Sequence, residues 1–399
     1  MRRNSLCVLT VLFSAILLAC FARIGLGETQ PGLSIQSPSG LLMDGTSGQI
    51  IFESNPERTF PPASLAKMMT LYLAFDALKS GAVKPDQEII VSTRAWKMGG
   101  SQMFLNVGDK VKFIELVKGV ASVSANDGAV AIAEFLAGSE EAFAQKMNEK
   151  ASALGLKNTH FVNSNGLPGE GQMTCAMDMA LLGFHYVHDY PEALQYHSLP
   201  FFEYRGIKQK NWNKLLTMDS RVDGLKTGYL SKVGYHVLFS AKQDNLKFIG
   251  AVMGAQNSRG RDRDAVKLIE YGFNSFTTIT LAKKGDVVAK IPVSRGKIHE
   301  VDLLADKAMF ISVRKGAEKK TSLKKEIPSS ATAPIKKGDV LGKLIVEGDG
   351  SPRMEVNLVA AADVPAKSYR IFYIAGAVLV GVIVVLAAWK FKPPPKKKW

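Results

Sequence analysis

The fold is decided by the stretch Pro61-Pro62-Ala63-Ser64-Leu65-Ala66-Lys67-Met68-Met69-Thr70-Leu71-Tyr72-Leu73. Proline does not fit inside a helix, and from Ser64 onward good helix formers carry apolar residues at helical spacing. The pattern predicts a helix that begins at or near Ser64, with Lys67 one turn further on the same face. A serine there lies beside unpaired backbone N–H groups and the positive end of the helix dipole, which favour developing negative charge. If Lys67 is partly desolvated and loses its proton, it becomes a base within reach of the Ser64 hydroxyl.

Two further segments decide between a catalytic serine and an N-cap serine followed by a surface lysine. Ser124-Ala125-Asn126 lies between two apolar helical runs, 113–123 and 128–136, and is predicted to form a short turn. Lys226-Thr227-Gly228 opens a segment rich in β-branched and aromatic residues, which is typical of a strand. Three such segments in this order are the signature of serine acyltransferases that react with penicillin. Together they favour the catalytic interpretation.

Residues from about 33 to 276 resemble the low-molecular-mass penicillin-binding proteins that are D-alanyl-D-alanine carboxypeptidases, peptidase family S11. The resemblance extends beyond the three signature segments. It also includes Asn126-Asp127, Ala153-Leu154-Gly155-Leu156-Lys157-Asn158-Thr159, Asn165-Gly166-Leu167, Asp178-Met179-Ala180 and Val222-Asp223-Gly224-Leu225.

The resemblance implies an α+β fold with a β-lactamase/transpeptidase-like catalytic domain, in which helices cover one antiparallel sheet. The order of the predicted elements agrees with it: a hairpin within 33–53, helices in the middle, strands over 235–240 and 247–253, and a closing helix over 261–273. From about residue 277, short β-like runs broken by Gly, Pro and Lys predict a small all-β domain.

Both ends of the chain carry apolar runs that are typical of membrane-directed segments. Arg2 and Arg3 precede the run 6–21, which predicts a signal peptide cut after Gly27; an uncleaved anchor and lipidation at Cys20 are the alternatives. Residues 371–389 carry no charge and precede a lysine-rich tail, so we predict a transmembrane helix with a cytoplasmic tail. The predicted segments are 1–27 (signal peptide), 28–276 (serine D,D-peptidase catalytic domain), 277–364 (β-rich domain), 371–389 (transmembrane helix) and 390–399 (basic cytoplasmic tail).

Composition narrows the range of partners. The net charge of +15 includes three arginines of the leader and five lysines of the tail, which leaves about +7 for the rest of the chain. This modest basicity suits an anionic envelope polymer or a membrane surface, and no motif predicts nucleic-acid binding.

Two of the three cysteines, Cys7 and Cys20, fall in the leader, so a processed chain forms no internal disulfide. The six histidines show no ligand spacing, and we predict neither a metal site nor a cofactor.

The resemblance implies a role for each site residue. The catalytic group is Ser64 as the nucleophile, Lys67 as its base and Ser124 as a proton relay. The substrate-binding group is Asn126, Lys226, Thr227, Gly228, Tyr229 and Arg261. Tyr229 departs from the family, in which histidine is common at that position. Arg261 is the candidate for binding the free carboxylate of the substrate, and Arg259 and Arg263 are alternatives to it.

We therefore predict a serine-type D-Ala-D-Ala carboxypeptidase that removes the terminal D-alanine from peptidoglycan stem pentapeptides through an acyl-enzyme on Ser64. β-Lactams would acylate the same serine, and the C-terminal helix would hold the enzyme in the cytoplasmic membrane with its catalytic domain on the extracytoplasmic side. The alternatives are a D,D-endopeptidase of cross-links and a slow wall-binding penicillin-binding protein. A class A β-lactamase is less favoured, because no Glu-x-x-Leu-Asn run lies between Asn126 and Lys226.

Overall fold

The computed structural model describes residues 33–316, 322–348, 351–368 and 370–390. The predicted signal peptide and the predicted tail beyond Lys390 lie outside these residues. Residues 33–36 belong to a separate N-terminal unit, and the unit that follows begins at Ser37.

A five-stranded antiparallel sheet forms the centre of the first part of the chain, with strand order β2-β1-β11-β10-β9. The same part of the chain also contains three two-stranded sheets, β3–β6, β4–β5 and β7–β8. The strands are β1 (Ser39–Asp44), β2 (Ile50–Ser54), β3 (Thr59–Phe60), β4 (Glu88–Ile90), β5 (Lys110–Lys112), β6 (Thr174–Cys175), β7 (Phe201–Tyr204), β8 (Ile207–Lys210), β9 (Val222–Leu230), β10 (Gly234–Gln243) and β11 (Leu246–Ala255). The predicted hairpin within 33–53 is confirmed as β1 and β2.

Most of the helices lie in the chain between β3 and β9. They are α1 (Lys67–Lys79), α2 (Thr93–Trp96), α3 (Phe113–Ser122), α4 (Asn126–Ala137), α5 (Glu140–Ala153), α6 (Ala176–Asp189), α7 (Leu194–His197), α8 (Leu215–Met218) and, after β11, α9 (Ser258–Ser275). Short 3-10 turns cover Ala63–Ala66 and Pro191–Ala193. The closing helix is longer than predicted because Asn257 caps it, accepting a hydrogen bond from the Gly260 N–H group at 2.8 Å.

Helices pack against both faces of the five-stranded sheet. Ile249 and Phe248 are neighbours in β11, and their side chains point to opposite faces. Gly183 of α6 lies against Ile249, and Gly272 of α9 lies against Phe248; a Cβ at either glycine would meet those side chains at 3.1 and 2.9 Å. Small residues thus let both helices approach the sheet closely. The predicted α+β fold, an antiparallel sheet covered by helices, is confirmed.

The chain after α9 forms a β-rich region with a hydrophobic core of its own. A six-stranded sheet has the order β16-β18-β19-β14-β13-β17, and β12 pairs with β15. The strands are β12 (Phe276–Ala282), β13 (Val287–Ser294), β14 (Glu300–Ala305), β15 (Met309–Arg314), β16 (Ser322–Glu326), β17 (Ala331–Thr332), β18 (Val340–Gly348) and β19 (Ser351–Ala360). The predicted presence of a small β domain after the catalytic part of the chain is confirmed. Its boundaries at 277 and 364 stay a prediction.

The predicted transmembrane segment 371–389 falls on a helix, α10 (Arg370–Lys390). Over the described ranges, the structure contains no helix that meets the combined length and apolarity required to cross a membrane. The transmembrane span at 371–389 stays a prediction.

Candidate active site

Ser64 lies in the 3-10 turn Ala63–Ala66, which leads directly into α1 at Lys67. The predicted helix start is therefore a tighter turn than an α-helical one. Ala63, immediately before the serine, has a φ of +50°, a backbone conformation that is uncommon for residues other than glycine. Ser64 is half-buried and lines a cavity of about 460 Å³. The turn thus presents its hydroxyl to a partly open cavity large enough for part of a peptide.

Lys67 is fully buried, and its Nζ lies 3.0 Å from Ser64 Oγ and 2.5 Å from the Asn165 carbonyl oxygen. Burial lowers the pKa of Lys67 well below its usual value, and the charge of Lys226 lowers the same pKa further. The carboxylates of Asp127 and Glu140 act in the opposite direction. A buried amine that sheds its proton readily, at hydrogen-bond distance from a hydroxyl, has the geometry of a general base.

Ser124 lines the same cavity, between the end of α3 and the start of α4. Its φ of +63° is uncommon for serine and turns the residue out of the helical path. Its Oγ is buried and has no hydrogen-bond partner among the described residues. Trp212 supports this turn, because its Nε1–H group donates to the Val123 carbonyl oxygen at 3.1 Å. A strained residue with an unpartnered hydroxyl in a cavity is available to a bound ligand.

Asn126 and Asp127 join the start of α4 to the segment 99–105 at the cavity edge. The Asn126 side chain donates to the Gly99 carbonyl oxygen at 2.6 Å, and Asp127 accepts from the backbone N–H groups of Met103 and Leu105 at 3.0 and 3.1 Å. Asp127 is fully buried. The segment 99–105 is therefore fixed to the same helix start that carries the second signature segment.

The structure places Lys226, Thr227 and Gly228 in the second half of β9. The sequence pattern instead predicts these residues at the start of a strand. Burial lowers the pKa of Lys226 to about 7, and the charge of Arg261 contributes to the same shift. Gly228 permits close packing against the serine turn, since a Cβ there would lie 3.1 Å from the Ala63 Cβ and 3.3 Å from the Ser64 nitrogen. The absence of a side chain at Gly228 lets β9 pack closely against the turn that carries Ser64.

Arg261 is buried in the first turn of α9 and lines the cavity. Asp262 holds its guanidinium, with the Arg261 Nη2 and Nε atoms 2.6 and 2.7 Å from Asp262 Oδ1. Arg259 and Arg263 line a neighbouring groove instead. Among the three predicted alternatives, the structure places only Arg261 at the cavity.

Tyr229 is 53% exposed at the cavity mouth, where its ring packs on Tyr235 with 4.3 Å between the ring centres. Trp212, which is 58% exposed, also lines the cavity. The structure therefore brings all nine predicted site residues to one region: Ser64, Ser124, Asn126, Thr227, Gly228, Tyr229 and Arg261 line the cavity, while Lys67 and Lys226 are buried beside it.

Sequence reasoning gave no role to several residues that form the site. Trp212, Ser101 and Asn165 line the cavity, and Asn165 lies against Lys67 through its backbone carbonyl. The family resemblance includes Asn165-Gly166-Leu167 but implies no function for these residues. A backbone acceptor leaves no trace in residue type, so only the fold reveals this contact.

Comparison with known proteins gives a consistent result. Residues 26–257 match the family Peptidase_S11, described as D-alanyl-D-alanine carboxypeptidase, and residues 276–366 match the C-terminal domain of penicillin-binding protein 5. The chain is 35% identical over 382 residues to D-alanyl-D-alanine carboxypeptidase DacF of Bacillus subtilis, covering 92% of this chain and 96% of that protein.

Solved structures are similar to the chain as well, among them two penicillin-binding proteins. Penicillin-binding protein 5 from Haemophilus influenzae has a TM-score of 0.71 at 35% identity, covering 84% of this chain and 99% of that one. Penicillin-Binding Protein D2 from Listeria monocytogenes, solved with ampicillin bound, has a TM-score of 0.56 at 27% identity and covers 61% of this chain and 100% of that one.

Proposed function

The chain belongs to the S11 family of D-alanyl-D-alanine carboxypeptidases, and from that membership we propose how its own residues perform the reaction. It is a serine-type D-alanyl-D-alanine carboxypeptidase, a penicillin-binding hydrolase that acts on peptidoglycan. The residue assignment rests on one observation: Ser64 Oγ and Lys67 Nζ lie 3.0 Å apart. The pair lies beside a cavity that residues of the other two signature segments also line.

Acylation begins with proton transfer from the Ser64 hydroxyl to the neutral amine of Lys67. The serine oxygen attacks the carbonyl carbon between the two D-alanines, and a tetrahedral intermediate forms. We assign its oxyanion to the backbone N–H groups of Ser64 and Tyr229. The close packing of Gly228 on the serine turn supports this assignment, because it brings the two backbone segments together.

Collapse of the intermediate breaks the peptide bond, and the leaving D-alanine amine takes a proton. Ser124 and Lys226 form the proposed relay for that proton. The unpartnered Oγ of Ser124 and the pKa of Lys226, about 7, suit groups that pass a proton near neutral pH. Lys67, neutral again after giving its proton to the relay, takes a proton from the water that attacks the acyl-enzyme ester. It then gives that proton to the departing Ser64 oxygen, and the shortened stem peptide leaves.

Substrate binding uses groups on both sides of the nucleophile. Asn126 hydrogen-bonds the peptide backbone in this proposal, and Thr227 and Arg261 receive the terminal carboxylate. A guanidinium recognises a carboxylate through paired hydrogen bonds. Because Asp262 already holds one edge of Arg261, the group is oriented before substrate arrives.

D-Alanine release from a synthetic stem pentapeptide tests the function, with a cross-linked peptide dimer and a fluorescent penicillin as parallel substrates. We expect release from the pentapeptide and covalent labelling by the penicillin. Faster cleavage of the dimer would favour the endopeptidase alternative. Labelling without any release would favour a wall-binding protein whose serine only traps penicillin.

The enzyme belongs to a family of the cell envelope, and we keep single-pass anchoring through α10 as a proposal. Its support is the uncharged sequence 371–389 and the exposure of large apolar side chains on α10, among them Ile374, Val378 and Leu386 at 63%, 61% and 58%. Fractionation of cells tests it: the full chain should resist extraction by alkaline carbonate, and a chain that ends at Ala366 should be released. Equal extraction of both chains would reject the anchor.

A further inference from the structure

Glu140, the first residue of α5, is a buried carboxylate behind the active site and does not line the cavity. Its Oε1 accepts hydrogen bonds from the Ser164 backbone N–H at 2.9 Å and from the Ser164 hydroxyl at 2.6 Å. The Asn165 side-chain amide lies 3.4 Å from the same oxygen. The other carboxylate oxygen faces Arg94 Nε at 3.7 Å. A buried carboxylate with this many donors fixes the segment it contacts.

The segment held by Glu140 also contacts α1. The Ser164 carbonyl oxygen accepts from the Thr70 hydroxyl at 2.6 Å, and the Asn165 carbonyl oxygen accepts from Lys67 Nζ at 2.5 Å. Residues 164–165 therefore lie between a carboxylate on α5 and the helix that carries the catalytic base. A shift of this segment would change the direction in which the amine of Lys67 points.

We propose that Glu140 is a positioning residue of the reaction, which holds Ser164 and Asn165 so that the Asn165 carbonyl aims the amine of Lys67 at Ser64. The inference rests on the proposed role of Lys67 as the base. Glu140 itself does not line the cavity, so in this proposal it acts through the segment it holds and through its charge.

Because Glu140 is charged, replacing it should change the pH dependence of the reaction rate, which a purely structural role would not do. Three ionisable groups on different elements act on Lys67: Lys226 on β9, Asp127 on α4 and Glu140 on α5. Glu140 itself faces the guanidinium of Arg94. The negative charge of Glu140 raises the pKa of Lys67, so its removal lowers that pKa. Because Lys67 acts in its neutral form, the acid limb of the rate profile then moves to lower pH.

The test compares Glu140→Gln with Glu141→Gln. Glu141 is the next residue on α5, is exposed, and also binds Arg94, at 2.8 and 3.1 Å. Glutamine at 140 keeps one acceptor oxygen but loses the charge and turns an amide group toward the Arg94 guanidinium. The measurement is the second-order rate of labelling by fluorescent penicillin from pH 5 to 10.

We expect Glu140→Gln to label about tenfold more slowly at its optimum, as the loss of one charge-assisted hydrogen bond predicts. Its acid limb should move down by about half a pH unit. Glu141→Gln should stay within twofold of the unmodified enzyme with its profile unmoved. Equal behaviour of the two variants, or a Glu140→Gln profile identical to that of the unmodified enzyme, would overturn the inference.

Ser164→Ala keeps the inference testable if the glutamine variant does not fold. It removes the 2.6 Å hydroxyl donor and keeps the charge of Glu140, so labelling should slow by about threefold with no pH shift. An unchanged rate would then count against the positioning role. Failure of the unmodified enzyme to label at Ser64 would instead refute the proposed function, and the two failures are therefore distinguishable.

Discussion

Burial governs the chemistry of the two active-site lysines. Both are removed from water, and they also lie close enough for the charge of Lys226 to act on Lys67. A desolvated ammonium loses part of its hydration energy, and a second positive charge disfavours it further. One amine is thereby available as a base, and the other titrates near neutral pH.

Arg261→Ala tests the carboxylate site at the scale of one residue. We expect KM for a peptide with a free C-terminal carboxylate to rise about 10- to 100-fold, because a charge-assisted hydrogen-bond pair contributes about 1.5–3 kcal/mol. Acylation by an ester that lacks the carboxylate should change little. Arg259→Ala, on the neighbouring groove, is the matched control. Equal losses for the peptide and the ester would remove Arg261 from the carboxylate site.

At the scale of elements, the active site is a junction of backbone segments that approach unusually closely. Gly166 lies against the serine turn with a φ of +83°, and a Cβ there would overlap the Ala63 carbonyl oxygen. Gly228 brings β9 to the same turn from another side. His236 adds a third support: its Nδ1 accepts from the Gly254 N–H at 2.9 Å, and its Nε2 then donates to the Pro61 carbonyl oxygen at 3.2 Å.

Gly166→Ala should destabilise the protein by about 3 kcal/mol, because the added methyl forces the serine turn to move. Gly155→Ala is the control: Gly155 also has a positive φ, +75°, but a Cβ there meets no atom within 4 Å. That variant should lose only about 1 kcal/mol through backbone strain. Urea unfolding measures both variants. A loss at position 166 no larger than at position 155 would contradict the close approach.

The sequence predicted those parts of the site that depend on local spacing. Ser64 and Lys67 meet because three residues make about one turn, and the turn between α3 and α4 follows from its two apolar flanks. The sequence did not predict the hydrogen bond between Glu140 and Ser164, which are 24 positions apart. It also did not predict the hydrogen bond between Trp212 and Val123, which are 89 positions apart. Such contacts follow from the packing of whole helices, and a single sequence carries no periodic signal for them.

At the scale of the whole molecule, two separate hydrophobic cores divide the described chain. All residues that line the cavity lie between Ser64 and Arg261, within the first of these parts. A chain that ends at Phe276 should therefore label with penicillin at a rate within roughly threefold of the full chain. Loss of labelling with retained solubility would show that the β-rich region contributes to the site and that the predicted boundary is wrong.

Acid should destabilise the protein through two buried histidines. Burial lowers the pKa of His197 and of His236 to about 4, against an ordinary value of 6.5. Between these pH values the unfolded chain binds protons that the folded one does not, so the free energy of unfolding falls as pH decreases. The fall is about 3 kcal/mol for each histidine.

His236→Asn separates the two contributions, because asparagine offers an acceptor to the Gly254 N–H but does not titrate. The drop in the free energy of unfolding between pH 7 and pH 4.5, measured with urea, should be about half that of the unmodified protein. An undiminished drop would exclude His236 as a source.

The central claim is that Ser64 is the nucleophile, and mass spectrometry of the intact protein after incubation with benzylpenicillin tests it most directly. We predict a mass increase of one penicilloyl group, located on the peptide that contains Ser64, and no increase in Ser64→Ala. An adduct on any other residue, or an adduct that persists in Ser64→Ala, would contradict the account.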